Sequence, residues 1–150
     1  MMDGCRNIYK SARKTTDFTQ EEAAERLYIG TRTLGSYETG TTVPPDDVVC
    51  RMSEIYNTPW LAYEHLKNSS AVGQKYLPDL NFSDMAKAVL KFKKEVKDLT
   101  KIDDEMVDIA CDGIVDDEET DRWAKVEKEI ADVMAAALNI ILCQQKEKSA

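Results

Sequence analysis

The sequence predicts an all-α protein: five short helices at the N-terminus, a linker, and a C-terminal antiparallel helical hairpin. Three observations carry that expectation. No stretch alternates apolar and polar residues as a half-buried strand would. Two long segments repeat apolar residues at helical spacing instead. Breaks at Val43-Pro44-Pro45-Asp46, from Lys67 to Asn81 and at Asp112-Gly113 divide the chain into lengths that suit helices.

The front helices are expected near 5–14, 19–27, 31–38, 46–57 and 59–66. Thr19 is a good N-cap, and Glu22 three residues on completes a capping box. Ala23, Ala24 and Leu27 give that helix a small apolar face. Thr31 can cap the next helix, on which Leu34 and Tyr37 fall at i and i+3. Pro44-Pro45 marks a turn and then a helix start, because proline disfavours helix before it and suits the first helical turn. Val48, Val49, Met52, Ile55 and Tyr56 form the buried stripe that follows.

Residues 68–81 hold Ser, Gly and Pro without a steady period, so the chain is read as a domain at 1–67, a linker at 68–81 and a second domain at 82–150. In the latter, Phe82, Met85, Val89, Phe92, Val96 and Leu99 are spaced 3-4-3-4-3, and Trp123, Val126, Ile130, Val133, Ala137 and Ile140 repeat that spacing. Two such seams describe a hairpin with coiled-coil-like packing. The pattern leaves open whether residues 83–112 form one helix or break near Thr100–Asp103. A further apolar row, Met134, Leu138 and Ile141, exceeds what one hairpin can bury and must pack on the front domain or on another subunit, and dimerisation is expected.

Composition fits a globular chain: 150 residues, 43% hydrophobic and 32% charged. No apolar run reaches the length of a membrane helix, and the start lacks the apolar core of a secretory signal. A cytoplasmic protein with no membrane contact is expected. Cys5, Cys50, Cys111 and Cys143 are widely spaced and His65 is the one histidine, which favours buried thiols over disulfides or zinc. No Ser or Cys has an evident partner for a triad, so no catalytic residue, cofactor or metal is assigned and the chain is not expected to be an enzyme. The net charge of −8 argues at first sight against nucleic acid, but it is uneven. Residues 1–70 carry 8 basic and 10 acidic side chains, residues 71–150 carry 12 and 18, and 103–121 hold ten carboxylates and no cation.

The stretch from Phe18 to Pro44, FTQEEAAERLYIGTRTLGSYETGTTVP, carries the functional signal. Thr19-Gln20-Glu21-Glu22-Ala23-Ala24 and Tyr37-Glu38-Thr39-Gly40-Thr41-Thr42-Val43-Pro44 resemble the two signatures of Cro/C1-type (lambda-repressor-like) helix-turn-helix regulators. The likeness runs on through Ile55-Tyr56-Asn57-Thr58-Pro59-Trp60-Leu61 and covers about the first 66 residues. It implies a five-helix lambda-repressor-like DNA-binding domain, with double-stranded DNA as partner and a repressor or other transcriptional regulator as the role. By that resemblance Thr31, Arg32 and Ser36 face base edges, Arg32 with the reach to take a guanine through two hydrogen bonds. Gln20 meets a phosphate, and Thr33, Thr39 and Thr41 are further phosphate contacts. Tyr37 and Glu38 read as structural. Three departures weaken the motif: Tyr28 where the turn commonly has Gly, Ala23 for the usual Leu, and Gly35 inside the recognition helix, where it costs about 1 kcal/mol. The back half, with its Lys-rich helix, Cys-Asp-Gly turn and Trp-bearing helix, looks similar to C-terminal regions of small regulators from bacterial mobile elements.

Two other readings stand beside this one. Asp108, Asp112, Asp116 and Glu119, with Gly113, match positions of a calcium loop, but Ala110 stands where an oxygen ligand is needed. A left-handed helix end at Gly113 and a capping box from Asp116 to Glu119 explain the same residues, and are preferred. The acidic half also suits a protein-interaction module, antitoxin-like or a DNA mimic, though such runs are more often solvated faces. Lys91, Lys93, Lys94, Lys97 and Lys101 read as the wet side of their helix, and Trp60 and Trp123 as core anchors.

Overall fold

The computed structural model describes residues 7–143, and every described element is helical. Cys5, and the start expected for the first helix, lie outside the described residues. The chain divides into two compact units on either side of Leu77 and Pro78.

The first unit contains α1 (Ile8–Arg13), α2 (Gln20–Leu27), α3 (Thr31–Glu38), α4 (Asp46–Ile55), α5 (Pro59–Ser69) and α6 (Ala71–Tyr76). Its core gathers Ala12 of α1, Ala23, Ala24 and Leu27 of α2, Leu34 and Tyr37 of α3, Val48, Val49 and Met52 of α4, then Tyr56 and Leu61. Ala23 is wholly buried, so the small residue at this position draws α2 close to its neighbours rather than leaving a gap. Pro59 opens α5 at the position where its missing N–H costs nothing. His65 of α5 is buried and bonded at both ring nitrogens, Nδ1 to the Tyr9 hydroxyl at 2.8 Å and Nε2 to Asp46 Oδ1 at 3.0 Å. It ties α1 and α4 to α5. Burial pushes the Tyr56 hydroxyl up to about 12.

Within 68–81, where the sequence shows no steady period, α5 runs on to Ser69 and α6 follows at once. Ser70 caps α6 by accepting the Gly73 N–H at 2.9 Å. Gly73 is buried against α5 so closely that a Cβ would strike the Leu66 carbonyl and approach Lys67 Cα to 2.9 Å. One glycine at a close crossing is a packing signal that periodicity does not register.

The second unit contains α7 (Met85–Thr100), α8 (Asp103–Ala110) and α9 (Thr120–Leu142). The break between α7 and α8 settles the open question of residues 83–112. Three contacts fix α7 and α9 as antiparallel. Cys143 Sγ approaches Met85 Sδ at 3.7 Å, carboxylates of Glu95 and Glu129 lie within 4.8 Å of each other, and beyond the end of α7 Arg122 Nε binds Glu105 of α8 at 2.8 Å.

The hairpin is present, but its seam is turned from the expected phase. Val89 and Val96 are each 38% exposed and Ile130 is 43% exposed, whereas Ala88, Glu95, Val126, Ala136 and Asn139 are buried. Ala88 and Ala136 let the helices approach, which leaves the bulkier β-branched residues on a flank. That flank is continuous. Met85, Val89, Phe92 and Val96 on α7, and Ile130, Met134, Ala137 and Ile141 on α9, share the spacing 4-3-4. Between antiparallel helices, residues displaced from the seam in the same rotational sense fall on the same side, so the two rows form one apolar face. Of the expected dimerisation residues, Met134 is 43% exposed, Ile141 is 70% exposed and Leu138 is half-buried. The other side is charged, with Lys94 on Asp98 at 3.0 Å and Lys128 on Asp132 at 2.8 Å.

The acidic connection is held by its own backbone. Asp112 Oδ1 accepts the Ile114 N–H, Asp116 Oδ1 accepts those of Glu118 and Glu119, and Glu119 Oε2 accepts that of Asp116. Gly113 has φ 77, as the expected left-handed helix end requires. Among the cysteines, Cys143 is buried as expected, while Cys50 and Cys111 are exposed because each lies on the solvent side of its helix or at its end.

Candidate nucleic-acid interface

The interface is built on α2 and α3. Thr19 and Glu22 form the reciprocal capping box at the start of α2, with Glu22 N–H on Thr19 Oγ1 at 3.2 Å and Thr19 N–H on Glu22 Oε2 at 2.9 Å. At its other end Tyr28 turns left-handed with φ 57 and ψ 39, and the Ile29 N–H reaches back to the Ala24 carbonyl at 3.0 Å. Tyrosine there costs roughly 1–2 kcal/mol relative to glycine. The missing glycine predicts a differently shaped turn, but Tyr28 takes the left-handed conformation itself. The cap of α3 differs from expectation. Gly30, in extended conformation, is the N-cap, and Thr31 is the first helical residue. Closing α2 at Tyr28 leaves two residues to reverse direction, which carries Thr31 into the helix.

Beneath the surface one buried carboxylate joins three helices. Glu38, at the end of α3, takes Nε and Nη2 of Arg13 from α1 at 2.6 and 2.9 Å, and Nε2 of Gln20 from α2 at 2.8 Å. Its side chain is only 1% exposed. Burial acts to raise its pKa, but the hydrogen bonds from Arg13 and Gln20 outweigh that and hold the carboxyl below its ordinary value of 4.5. Asn7 adds a bond from Nδ2 to the Tyr37 carbonyl at 2.8 Å. The network sets the angle between α2 and α3 without spending the outer face of α3.

On that outer face Thr31, Arg32 and Thr33 are exposed and Ser36 is half-buried. The Arg32 guanidinium has no acidic partner among the described residues, unlike Arg13 on Glu38 and Arg51 on Asp47. Ser36 Oγ donates to the Arg32 carbonyl at 3.2 Å, and the Thr39 and Thr41 hydroxyls bond each other at 2.9 Å. Arg32, Thr33 and Ser36 also line a shallow cleft with Tyr37, Thr42, Val43 and Pro45. These residues therefore share one surface. Gln20 lies apart in function as well as place, since its amide is turned inward to Glu38. At that end of α2 the side chains of Glu21 and Glu22 are exposed. Arg13 was not singled out in the sequence, because its pairing joins residues twenty-five apart on different helices. The one local sign was a Glu beside an aromatic in a core position.

Two short helices, α2 and α3, joined through the left-handed Tyr28 have the arrangement of a helix-turn-helix. The family profile described as helix-turn-helix matches residues 10–61, which lie within the N-terminal unit. The chain is also 33% identical over 86 residues to the HTH-type transcriptional regulator ImmR of Bacillus subtilis (strain 168). That match covers 57% of this chain and 65% of the relative's length. No solved structure matches the chain significantly. Among the described residues no helix is long and apolar enough to cross a membrane.

Proposed function

We propose that the chain is a cytoplasmic, sequence-specific DNA-binding regulator, a repressor that acts as a homodimer. The observation that carries this reading is the free Arg32 on the first turn of α3, presented beside Thr31, Thr33 and Ser36 while the Glu38 carboxylate beneath is satisfied by Arg13 and Gln20. A helix so held can lie in the major groove with its first residues at base edges. Thr39 and Thr41 follow α3 and suit phosphate contact, while at Gln20 the contact falls to the backbone at the start of α2. One domain makes a modest contact. The apolar face of the hairpin, covered by the same face of a second copy, supplies the pairing that sets two recognition helices about one DNA turn, roughly 34 Å, apart. Bound across a promoter, such a dimer blocks it.

The competing reading is a protein-interaction module that uses the acidic half. The ten carboxylates of 103–121 favour it, but Asp112, Asp116 and Glu119 are engaged with their own backbone. Selection of bound fragments from random duplexes, followed by a salt titration, separates the two. A phosphate-binding regulator loses affinity steeply with salt. Arg32→Ala should relax base preference at one position and cost about 1–3 kcal/mol there. Failure of the parent protein to bind any duplex at low salt would exclude the DNA reading.

A further inference from the structure

The turn ahead of α3 holds a residue for which the fold gives no reason. Tyr28 occupies the left-handed position that closes α2, with φ 57. Its N–H donates to the Glu25 carbonyl at 3.0 Å and the Ile29 N–H to that of Ala24 at 3.0 Å. Glycine takes this conformation without a steric penalty, and tyrosine does not. Strain of this kind persists where the surroundings of the side chain compensate for it. Here they do not. The ring is 90% exposed and makes no hydrogen bond or ring contact among the described residues. The other non-glycine residue with positive φ is Asn57, at 51°, a side chain that tolerates the left-handed region. Tyr28 is thus strained and, among the described residues, unrewarded.

Its position says what rewards it. Tyr28 precedes Thr31 by three residues and Arg32 by four, at the end of α3 that enters the groove in the reading proposed above, on which this inference rests. A turn leading into a helix seated in the major groove passes the sugar–phosphate backbone at the groove's edge. We propose that Tyr28 contacts that backbone, its hydroxyl donating to a phosphate oxygen and its ring lying against the adjoining deoxyribose. The contact is neutral and touches no base. It adds affinity on every duplex alike and releases no counterion.

The test compares the full-length parent with Tyr28→Gly and Tyr28→Phe. Affinities are measured on a selected duplex and on an unrelated duplex of equal length, across a salt series, beside thermal melting of each protein. Tyr28→Gly should melt at the same or a higher temperature yet bind about tenfold more weakly on both duplexes, with the salt slope unchanged. Tyr28→Phe should lose about threefold, since the ring remains and the donor is gone. A glycine variant that binds as tightly as the parent overturns the assignment. So does a loss confined to the selected duplex, which would mean base contact, or a loss accompanied by a lower melting temperature, which would mean a structural role. A parent that binds neither duplex at low salt removes the DNA reading itself, and that outcome is seen before any variant is compared.

Discussion

Glu38 does for the N-terminal unit what no single apolar contact could: one carboxylate fixes α1, α2 and α3 together. A buried charge with its partner removed is costly, because the survivor keeps its desolvation penalty. Glu38→Gln preserves shape and leaves the largely buried Arg13 unpaired, so we expect about 3 kcal/mol of destabilisation in urea unfolding. The pH dependence has a definite sign. The folded-state pKa of Glu38 is depressed below 4.5, so its contribution is complete above that value and is lost as pH falls through the lower folded value. Parent stability should decline on acidification in that window, and Glu38→Gln should lack that part of the decline. Motif order placed Thr31, Arg32, Thr33 and Ser36 on one helix, where the first three are exposed and Ser36 half-buried, and Glu38 read as structural. It did not reveal Arg13, nor that Gln20 turns inward, because a side chain with two chemically suitable partners is assigned only when both are placed in space.

At the scale of elements, the capped and proline-punctuated helices were the most legible. The capping box at Thr19 and Glu22 and the start of α4 after Pro45 follow from local hydrogen bonding and fixed φ, which need no tertiary information. The elements that were not legible depend on packing partners. Helix α6 exists because Gly73 lets it press on α5, so Gly73→Ala should force the two apart at a cost of about 1–3 kcal/mol. Hydrogen exchange should then show protection lost across 71–76 while α2 and α3 keep theirs; undiminished protection there would mean that the backbone yields instead. The hairpin teaches a related lesson. The 3-4 spacing announced paired helices correctly, yet two overlapping rows on each helix satisfied it. Small residues at 88 and 136 chose the row that faces inward.

For the whole molecule, the two units differ in how well each satisfies itself. The first gathers eleven buried apolar residues from five helices and the loop after α4 into one cluster. The second leaves Met85, Val89, Val96, Ile130, Met134 and Ile141 at least 38% exposed along one side. In the proposed homodimer the same face of a second copy covers it. Met134→Lys with Ile141→Lys should yield a monomer in sedimentation velocity whose helicity is retained, and should weaken operator binding by far more than it weakens the isolated domain's contact. A doubly substituted protein that stays dimeric would place the interface elsewhere. The charge asymmetry follows the same division, since most of the acid lies in residues 71–150, so a net charge of −8 says little about the surface proposed to meet DNA.

Gly35 carries a consequence of a different kind. Midway along α3, next to Ser36 and one turn beyond Thr31 and Arg32, it is a position where an added Cβ would meet nothing within 4 Å. Most changes to a recognition helix must trade one contact for another. Here a side chain can be gained with none surrendered, and helix propensity improves in the same step. If α3 reads DNA as proposed, position 35 is where a new contact can be added without giving up one already made.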